Sequence, residues 1–242
     1  MKLRLAPDFL DLFPEALIGV VRVRGCDNSR RGDSSAESAV EAELQQAAAA
    51  AANRFAGAAL ADEPRIACWR DAYRRFGANP KQSPSSIESL LRRAVKGGGP
   101  RPINPLVDLY NAVSLTHLLP AGGEDLAHVR GDVVLCRAGA AEPPLILLGD
   151  AEPRPPHPGE VIYRDDLSAL CRRWNWREAD RTKLTADTRD ALLVLEALPP
   201  AGREDLRRAL ADLAARVVRH CGGQAAAAVV DAAAPGLDLD LA

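Results

Sequence analysis

The distribution of apolar positions along the chain predicts a mixture of strands and helices. Short β-branched or apolar runs, bounded by Gly and Pro clusters, predict strands at residues 17–23, 132–137, 144–148 and 160–163. Residues 188–198 are apolar over most of their length, so periodicity alone fits either a strand or a helix there.

Helical spacing of apolar residues, or high helix propensity, predicts helices at residues 36–59, 64–76, 85–95, 104–117 and 202–220. Ser85 and Glu88 have the spacing of a capping box, in which each side chain accepts from the other residue's amide. Asn104 followed by Pro105 is typical of a helix start. The alanine-rich end beyond residue 220 predicts a frayed tail.

Strands interleaved with helices predict a mixed α/β (α+β) fold, with a central sheet flanked by helices. The length of 242 residues suits one domain with extra segments. We expect the domain to occupy residues 1–200, and residues 201–242 to form a C-terminal helix and an alanine-rich tail.

Composition excludes several classes of protein. No apolar run approaches the roughly 20 residues needed to cross a bilayer, and the first eight residues lack the apolar core of a secretory signal. Five scattered cysteines and four histidines show no metal-ligand spacing, so we expect no metal and no cofactor. These features predict a cytoplasmic protein that is not attached to a membrane.

The total charge is nearly balanced, with 31 Lys and Arg against 33 Asp and Glu, but two stretches are locally basic. The cations in these stretches are Arg65, Arg70, Arg74, Arg75, Lys81, Arg92 and Arg93, and then Arg172, Arg173, Arg177, Arg181 and Lys183. If the stretches meet in space they form a surface for phosphates. The alternative is a solvated face of ion pairs.

Trp174 and Trp176 lie among the arginines of the second stretch. Tryptophan stacks on bases or on guanidinium planes, so this run is a candidate contact for RNA. It is equally consistent with a buried aromatic pair, because two residues separated by one position share a face of a strand.

Glu196 stands within an aliphatic run, which suggests a carboxylate at the edge of an apolar pocket. Burial would raise its pKa and suit it to bind a hydroxyl, an ammonium group or a water. A strand-end glutamate that reaches solvent or pairs with an arginine is the alternative.

Other polar residues are candidates for a pocket lining. Asn104, Asp108 and Asn111 share one face of the fourth helix, although capping also accounts for Asn104. Gly122 and Gly123 allow close approach of the backbone, with their amides as an oxyanion hole, or they simply end the helix.

Charged and hydroxyl residues around this pocket have similar alternatives. Glu124 and Asp125 are candidates for orienting a water, although a solvated loop explains them as well. Lys183, Thr185 and Thr188 are candidates for contacts with RNA or substrate, and turn or cap roles explain the threonines equally well.

Several segments together resemble a known family: residues 70–77, 81–93, 102–115 and 172–177. They are similar to the B3/B4 domain, the tRNA-editing module of the bacterial phenylalanyl-tRNA synthetase β subunit, which also occurs as a free-standing protein. The resemblance covers about residues 17–198. Its most specific part is the Asn-Pro-Leu-Val-Asp-Leu-Tyr-Asn run that begins at Asn104.

The resemblance implies an α/β domain that binds aminoacyl-tRNA and, in the synthetase, hydrolyses the ester of mischarged tRNA. The residues 195–197 match the run whose acidic residue recognises the tyrosine hydroxyl. The candidate catalytic residues are then Glu196, Asn111, Gly122 and Gly123. The candidate substrate-binding residues are Asn104, Asp108, Glu124, Trp174, Trp176, Lys183 and Thr185. The candidate tRNA-binding residues are Lys81, Arg92, Arg93, Arg172, Arg173 and Arg177.

Three hypotheses about function follow. The first is a tRNA-binding deacylase that acts in trans on mischarged tRNA, and the second is a non-catalytic tRNA- or RNA-binding module. The third is a small amino-acid-binding protein. The segment 119–125 lacks the histidine found in the synthetase, which is consistent with the second hypothesis. The chain is too short to contain a class II synthetase catalytic domain as well.

Overall fold

The structure is a computed structural model that describes residues 1–29, 35–97 and 99–240. The helices in these residues are α1 Pro7–Leu12, α2 Ser35–Arg54, α3 Pro64–Arg75, α4 Ser86–Val95, α5 Pro105–His117 and α6 Arg203–Cys221, with a 3₁₀ turn at Leu60–Asp62. No helix in the described parts of the chain is long and apolar enough to cross a membrane.

The strands are β1 Lys2–Leu5, β2 Leu17–Arg24, β3 Ala121–Asp125, β4 Val133–Arg137, β5 Val161–Arg164, β6 Ala169–Arg172, β7 Arg177–Glu178, β8 Ala191–Ala197, β9 Gln224–Val230 and β10 Gly236–Asp238. They form two sheets, ordered β10-β1-β4-β5-β6-β7 and β3-β8-β2-β9. The predicted mixed α/β class is confirmed, with the strands divided between two sheets.

The strand β8 lies inside the four-stranded sheet, between β3 and β2, and all seven of its residues are buried. A strand covered on both faces contains a continuous apolar run rather than an alternating one. This burial explains why periodicity left residues 188–198 undecided between strand and helix. Glu196 pairs with Ile18 in this ladder and is the polar residue in a strand that is otherwise aliphatic.

Local signals at two helix starts have different outcomes. Asn104 caps α5 as predicted, because its side chain accepts from the Val107 amide at 3.1 Å. Ser85 likewise accepts from the Glu88 amide at 3.4 Å, but the reciprocal half of the capping box is wrong. The Glu88 carboxylate is buried, and its Oε1 binds Arg70 and Arg92 at 2.6 Å each, so its partners are two guanidinium groups and not the Ser85 amide.

The prediction of a frayed tail is wrong, because residues 224–230 and 236–238 are strands. All seven residues of β9 pair with β2, and β10 pairs with β1, the first strand of the chain. Alanine contributes little side-chain packing to a strand, so its composition did not indicate one.

The strand expected at residues 144–148 is also absent, since only isolated bridges form there, at Leu145 and Leu147. Pro143 and Pro144 precede these bridges and cannot donate to a ladder. In addition, α2 ends at Arg54 and not at residue 59.

Replacing Gly19 of β2 with alanine is expected to lower the free energy of unfolding by about 1–3 kcal/mol, as overpacking does in cores. A Cβ at this position would lie 2.8 Å from Leu206 Cδ1 and 2.9 Å from Leu210 Cδ1, so these two buried side chains of α6 would have to shift. Urea unfolding measures the change. The control is Gly139→Ala, whose Cβ would meet only Glu142 Oε1 at 3.6 Å, and its effect should stay within about 0.5 kcal/mol.

Candidate functional site

A cavity of about 400 Å³ lies where the two sheets and two helices meet. Its walls come from β3 and β8 of one sheet, from β4, β5, β6 and β7 of the other, from the turn between β6 and β7, and from α4 and α5. The polar residues that reach it include Asn111, Glu124, Glu178, Glu196, Tyr110 and Tyr163. A concave apolar cavity with a few convergent polar groups is the usual form of a small-molecule site.

Glu196 lies in the cavity wall, 2% exposed, and accepts three side-chain hydrogen bonds. Its Oε1 accepts from the Tyr163 hydroxyl at 2.5 Å and from Trp174 Nε1 at 2.7 Å, and its Oε2 accepts from Asn175 Nδ2 at 2.5 Å. Burial raises the pKa of this carboxyl group to about 7, against the lowering effect of the three donors. Glu196 therefore holds the cavity wall together, and most of its hydrogen-bonding capacity is used within the protein.

The turn between β6 and β7 presents its two tryptophans to different surroundings. Trp174 is fully buried and contacts Phe9, Phe13 and Trp69, with ring centroids 5.0, 4.7 and 4.8 Å apart. Its φ is 65°, and a bulky residue adopts this left-handed conformation only where surrounding contacts compensate for the strain. Trp174 is thus a core residue that also reaches the cavity through its indole.

Trp176 is half-buried in the cavity wall and contacts two guanidinium groups. The Cζ atoms of Arg173 and Arg177 lie 4.6 and 5.5 Å from its ring centroid, within the range of cation–π attraction. The sequence left two interpretations of these tryptophans open, a buried aromatic pair and an aromatic contact among arginines. Trp174 fits the first, because it lies in the core, and Trp176 fits the second, because it lies among arginines.

Gly122 and Gly123 line the cavity on β3, but neither offers a free amide. The Gly123 amide donates to Glu178 Oε1 at 3.0 Å, and the alternation of an antiparallel ladder directs the Gly122 amide towards β8. A Cβ on Gly122 would lie 2.8 Å from the same Glu178 oxygen. The two glycines therefore bring the Glu178 carboxylate close to the backbone, and an oxyanion hole made of their amides stays a prediction.

Two further carboxylates face the cavity. Glu124 on β3 is 6% exposed, and its Oε2 has no hydrogen-bond partner among the described residues. Burial and the nearby charge of Glu178 raise the pKa of Glu124 well above its usual range, while burial raises that of Glu178 to about 7. Both groups are therefore short of compensating positive charge.

Hydrogen-bond donors that have no side-chain partner among the described residues also line the cavity. The Tyr110 hydroxyl and the Asn111 amide of α5 make no hydrogen bond to another described side chain, and both residues reach the cavity. Arg93 of α4 lines it as well, is exposed, and forms no ion pair within the described parts of the chain. These three groups are available to a ligand.

The other residues proposed for substrate binding lie outside the cavity. Asn104 caps α5 and donates to the Leu184 carbonyl at 3.0 Å, and Asp108 accepts from the Ile103 amide at 2.8 Å. Lys183 binds Asp180 at 2.7 Å, and the Thr185 carbonyl accepts from the Asn28 side-chain amide at 2.8 Å. Their contacts fix the loops that surround α5.

Most cations of the predicted RNA-binding set are engaged in ion pairs. Arg172 is buried and binds both oxygens of Glu160, at 2.7 and 3.1 Å. Arg92 pairs with Glu88, and Arg177 pairs with Asp150 at 2.8 Å. Lys81 is exposed. Arg173 pairs with Glu160 at 3.6 Å and also donates to Ser83, so the two basic stretches meet in space.

Sequence reasoning did not single out four residues of this site: Tyr110, Tyr163, Asn175 and Glu178. Tyr110 and Asn175 belong to the segments that carry the family resemblance, which was a usable signal. Tyr163 and Glu178 belong to short strands with no local motif, and only the pairing of β5, β6 and β7 brings them to the cavity.

Comparison with known proteins gives a match to one family model and matches to several solved structures. The model of the B3/4 domain family matches residues 68–236. One of the matching structures is an N-terminal fragment of the phenylalanyl-tRNA synthetase β subunit from Pyrococcus horikoshii. It shares 10% sequence identity with this chain and superposes on it with a TM-score of 0.49. The alignment covers 92% of this chain and 49% of that fragment, so the chain spans about half of its length. No curated protein matches the sequence.

Glu196→Gln is expected to remove part of the pH dependence of stability. The wild-type carboxyl has a raised pKa in the folded state, so the folded protein binds more protons, and stability is lost as pH rises from about 4.5 to about 7. The free energy of unfolding relative to Glu196→Gln should fall by about 3 kcal/mol over that interval. Denaturant unfolding at several pH values measures it.

The matched control for this prediction is Glu204→Gln, because Glu204 is exposed on α6. Its stability difference from wild type should be the same at every pH within about 0.5 kcal/mol. A pH-independent difference for Glu196→Gln would contradict the assignment of a raised pKa to Glu196.

Proposed function

The chain belongs to the B3/4 domain family, and we propose that it is an aminoacyl-tRNA deacylase that acts in trans on mischarged tRNA. Family membership supports a tRNA-related function at the level of the family. The observation that carries the finer proposal is the cavity, in which donors without a side-chain partner among the described residues lie near buried carboxylates and an exposed arginine. The aminoacylated 3′ end of tRNA is the partner, which implies a cytoplasmic location.

The size and polarity of the cavity support an amino acid and its ribose as the ligand. A volume of about 400 Å³ lies within the range of small-molecule sites, roughly 300–1,000 Å³. Apolar walls from Leu90, Leu192 and Val194 accommodate a side chain, and the polar residues lie around them. The aminoacyl group enters the cavity, and the rest of the tRNA remains outside.

Hydrolysis of this ester needs a polarised carbonyl and a positioned water more than a nucleophilic side chain. The oxygen of water attacks the carbonyl carbon, the bond to the ribose oxygen breaks, and that oxygen takes a proton. The Tyr110 hydroxyl and the Asn111 amide donate to the carbonyl oxygen as negative charge develops on it. A ribose hydroxyl next to the ester is available to orient the water.

The cations nearest the cavity bind the phosphates of the 3′ end. Arg93 is the strongest candidate, because it is exposed, lines the cavity and makes no ion pair with a described residue. Trp176 lies in the cavity wall with the Arg173 guanidinium 4.6 Å from its ring centroid, so an indole and a guanidinium offer stacking surfaces beside the cavity. Arg172 is committed to Glu160 and contributes to the fold.

A second candidate function, binding of aminoacyl-tRNA without hydrolysis, is favoured by one observation. The Gly123 amide donates to Glu178 and is not available to an oxyanion in this conformation. A protein that used the cavity only to hold the aminoacyl group would tolerate this arrangement.

The test is to incubate the purified protein with correctly charged and mischarged tRNAs and to follow loss of the ester. We expect at least one mischarged tRNA to lose its amino acid faster than in buffer. Asn111→Ala should reduce kcat on that substrate by about 10–100-fold, since it removes one donor to the transition state. Ester loss at the buffer rate for every tRNA would exclude hydrolysis and leave the binding function.

Arg93→Ala is expected to raise KM for the same tRNA several-fold with little change in kcat, because phosphate contacts act equally in the ground and transition states. The effect should shrink at high salt. The matched control is Arg207→Ala, an exposed arginine of α6 outside the cavity. An equal change in both variants would refute a specific role for Arg93.

A further inference from the structure

Two carboxylates share the cavity without a cationic partner among the described residues. The buried Oε2 atom of Glu124 is unpartnered, and the Oε1 atom of Glu178 is anchored by the Gly123 amide at 3.0 Å. The neighbouring arginines are engaged elsewhere, Arg177 with Asp150 at 2.8 Å and Arg181 with Asp165 at 2.9 Å. The pair therefore brings uncompensated negative charge to the cavity.

Such an arrangement is costly in the empty protein. A carboxylate that leaves water is stabilised only by hydrogen bonds or by an opposite charge. Glu124 Oε2 has no hydrogen-bond partner and no ion pair among the described residues, and the nearby charge of Arg181, which is paired with Asp165, offsets only part of the cost of burial. Each carboxylate also raises the cost of ionising the other. Burial accordingly raises the pKa of Glu124 well above its usual range and that of Glu178 to about 7. A ligand with a positive charge and several N–H donors would relieve both costs at once.

We propose that Glu124 and Glu178 bind a primary ammonium group, which in the deacylase is the α-ammonium of the aminoacyl ester. The identification with that ammonium rests on the proposed function. Three N–H donors in a compact group suit two carboxylates, and donors that suit the ester carbonyl, Tyr110 and Asn111, line the same cavity.

This site makes the α-amino group a determinant of specificity. An aminoacyl ester carries a positive charge next to the scissile bond, whereas an N-acylated or peptidyl ester carries none. Entry of the neutral group would leave both carboxylates unsatisfied, and unpaired buried polar groups reject analogues strongly. The cavity therefore admits aminoacyl-tRNA and discriminates against peptidyl-tRNA.

The experiment uses the amides of 3′-amino-3′-deoxyadenosine with each standard amino acid, which cannot be hydrolysed as esters. Each is paired with the analogue that lacks the α-amino group. Binding to the full chain is measured by calorimetry at a pH of about 7, where free carboxyl groups are ionised and α-amino groups are still mostly protonated. For at least one amino acid, we expect the amine to bind about tenfold or more tightly than its deaminated counterpart. In Glu124→Gln this ratio should fall to about threefold or less.

Glu178→Gln is the second variant, since its amide oxygen can still accept from Gly123, and it should lower the same ratio. Glu204→Gln, an exposed change on α6, should leave the ratio unaltered, and circular dichroism checks the fold of each variant. The inference is overturned if no amine binds at least tenfold better than its counterpart, or if both cavity variants keep the ratio. Tight binding of Mg²⁺ or Ca²⁺ that competes with the amines and is lost in Glu124→Gln also overturns it.

A deacylation assay separates this inference from the proposed function. Equal hydrolysis of an aminoacyl-tRNA and its N-acetylated form would overturn the ammonium site and leave the deacylase standing. Selective binding of amines without ester loss from any tRNA would support the ammonium site and exclude the deacylase.

Discussion

The buried carboxylate of Glu196 is the interaction on which the site depends. It extends from β8 of one sheet and accepts from Tyr163 on β5 of the other, and from Trp174 and Asn175 in the turn beside it. A carboxylate away from water is stable only while such donors surround it, so these bonds hold the two sheets at the separation that forms the cavity. The family resemblance assigned Glu196 to substrate recognition, which stays a prediction, and its hydrogen bonds make it part of the cavity wall.

The strained turn at Trp174 depends on the same carboxylate. Its left-handed backbone is held by burial of the indole against Phe9, Phe13 and Trp69 and by the bond to Glu196. This turn also places Asn175 and Trp176 in the cavity wall. The run of arginines and tryptophans at residues 172–177 therefore contributes Trp174 to the hydrophobic core. Trp176 is the tryptophan of this run that lies half-buried in the cavity wall, where a ligand can contact it.

The charged residues of the two basic stretches and of the cavity fall into two groups, those that form ion pairs and those that do not pair with a described residue. Arg172 with Glu160, and Arg70 and Arg92 with Glu88, form buried or half-buried ion pairs that neutralise much of the basic stretches. Arg93 and the pair formed by Glu124 and Glu178 have no such partner among the described residues. The chemistry of the site comes from these uncompensated groups, and a count of charges along the chain does not distinguish them from the paired ones.

The sequence by itself determined the features that depend on neighbouring residues: the Asn104 cap, the strand at 17–24, the helix bounds near 64–75 and 105–117, and the mixed fold class. Backbone preference and capping act within a few residues, so local patterns contain them. Only the tertiary structure decided that residues 191–197 are a strand, that the alanine-rich tail pairs with β2, and that Glu196 meets donors 21 to 33 residues away. These outcomes depend on which strands pair and in what register, and that choice is made by packing across the whole chain.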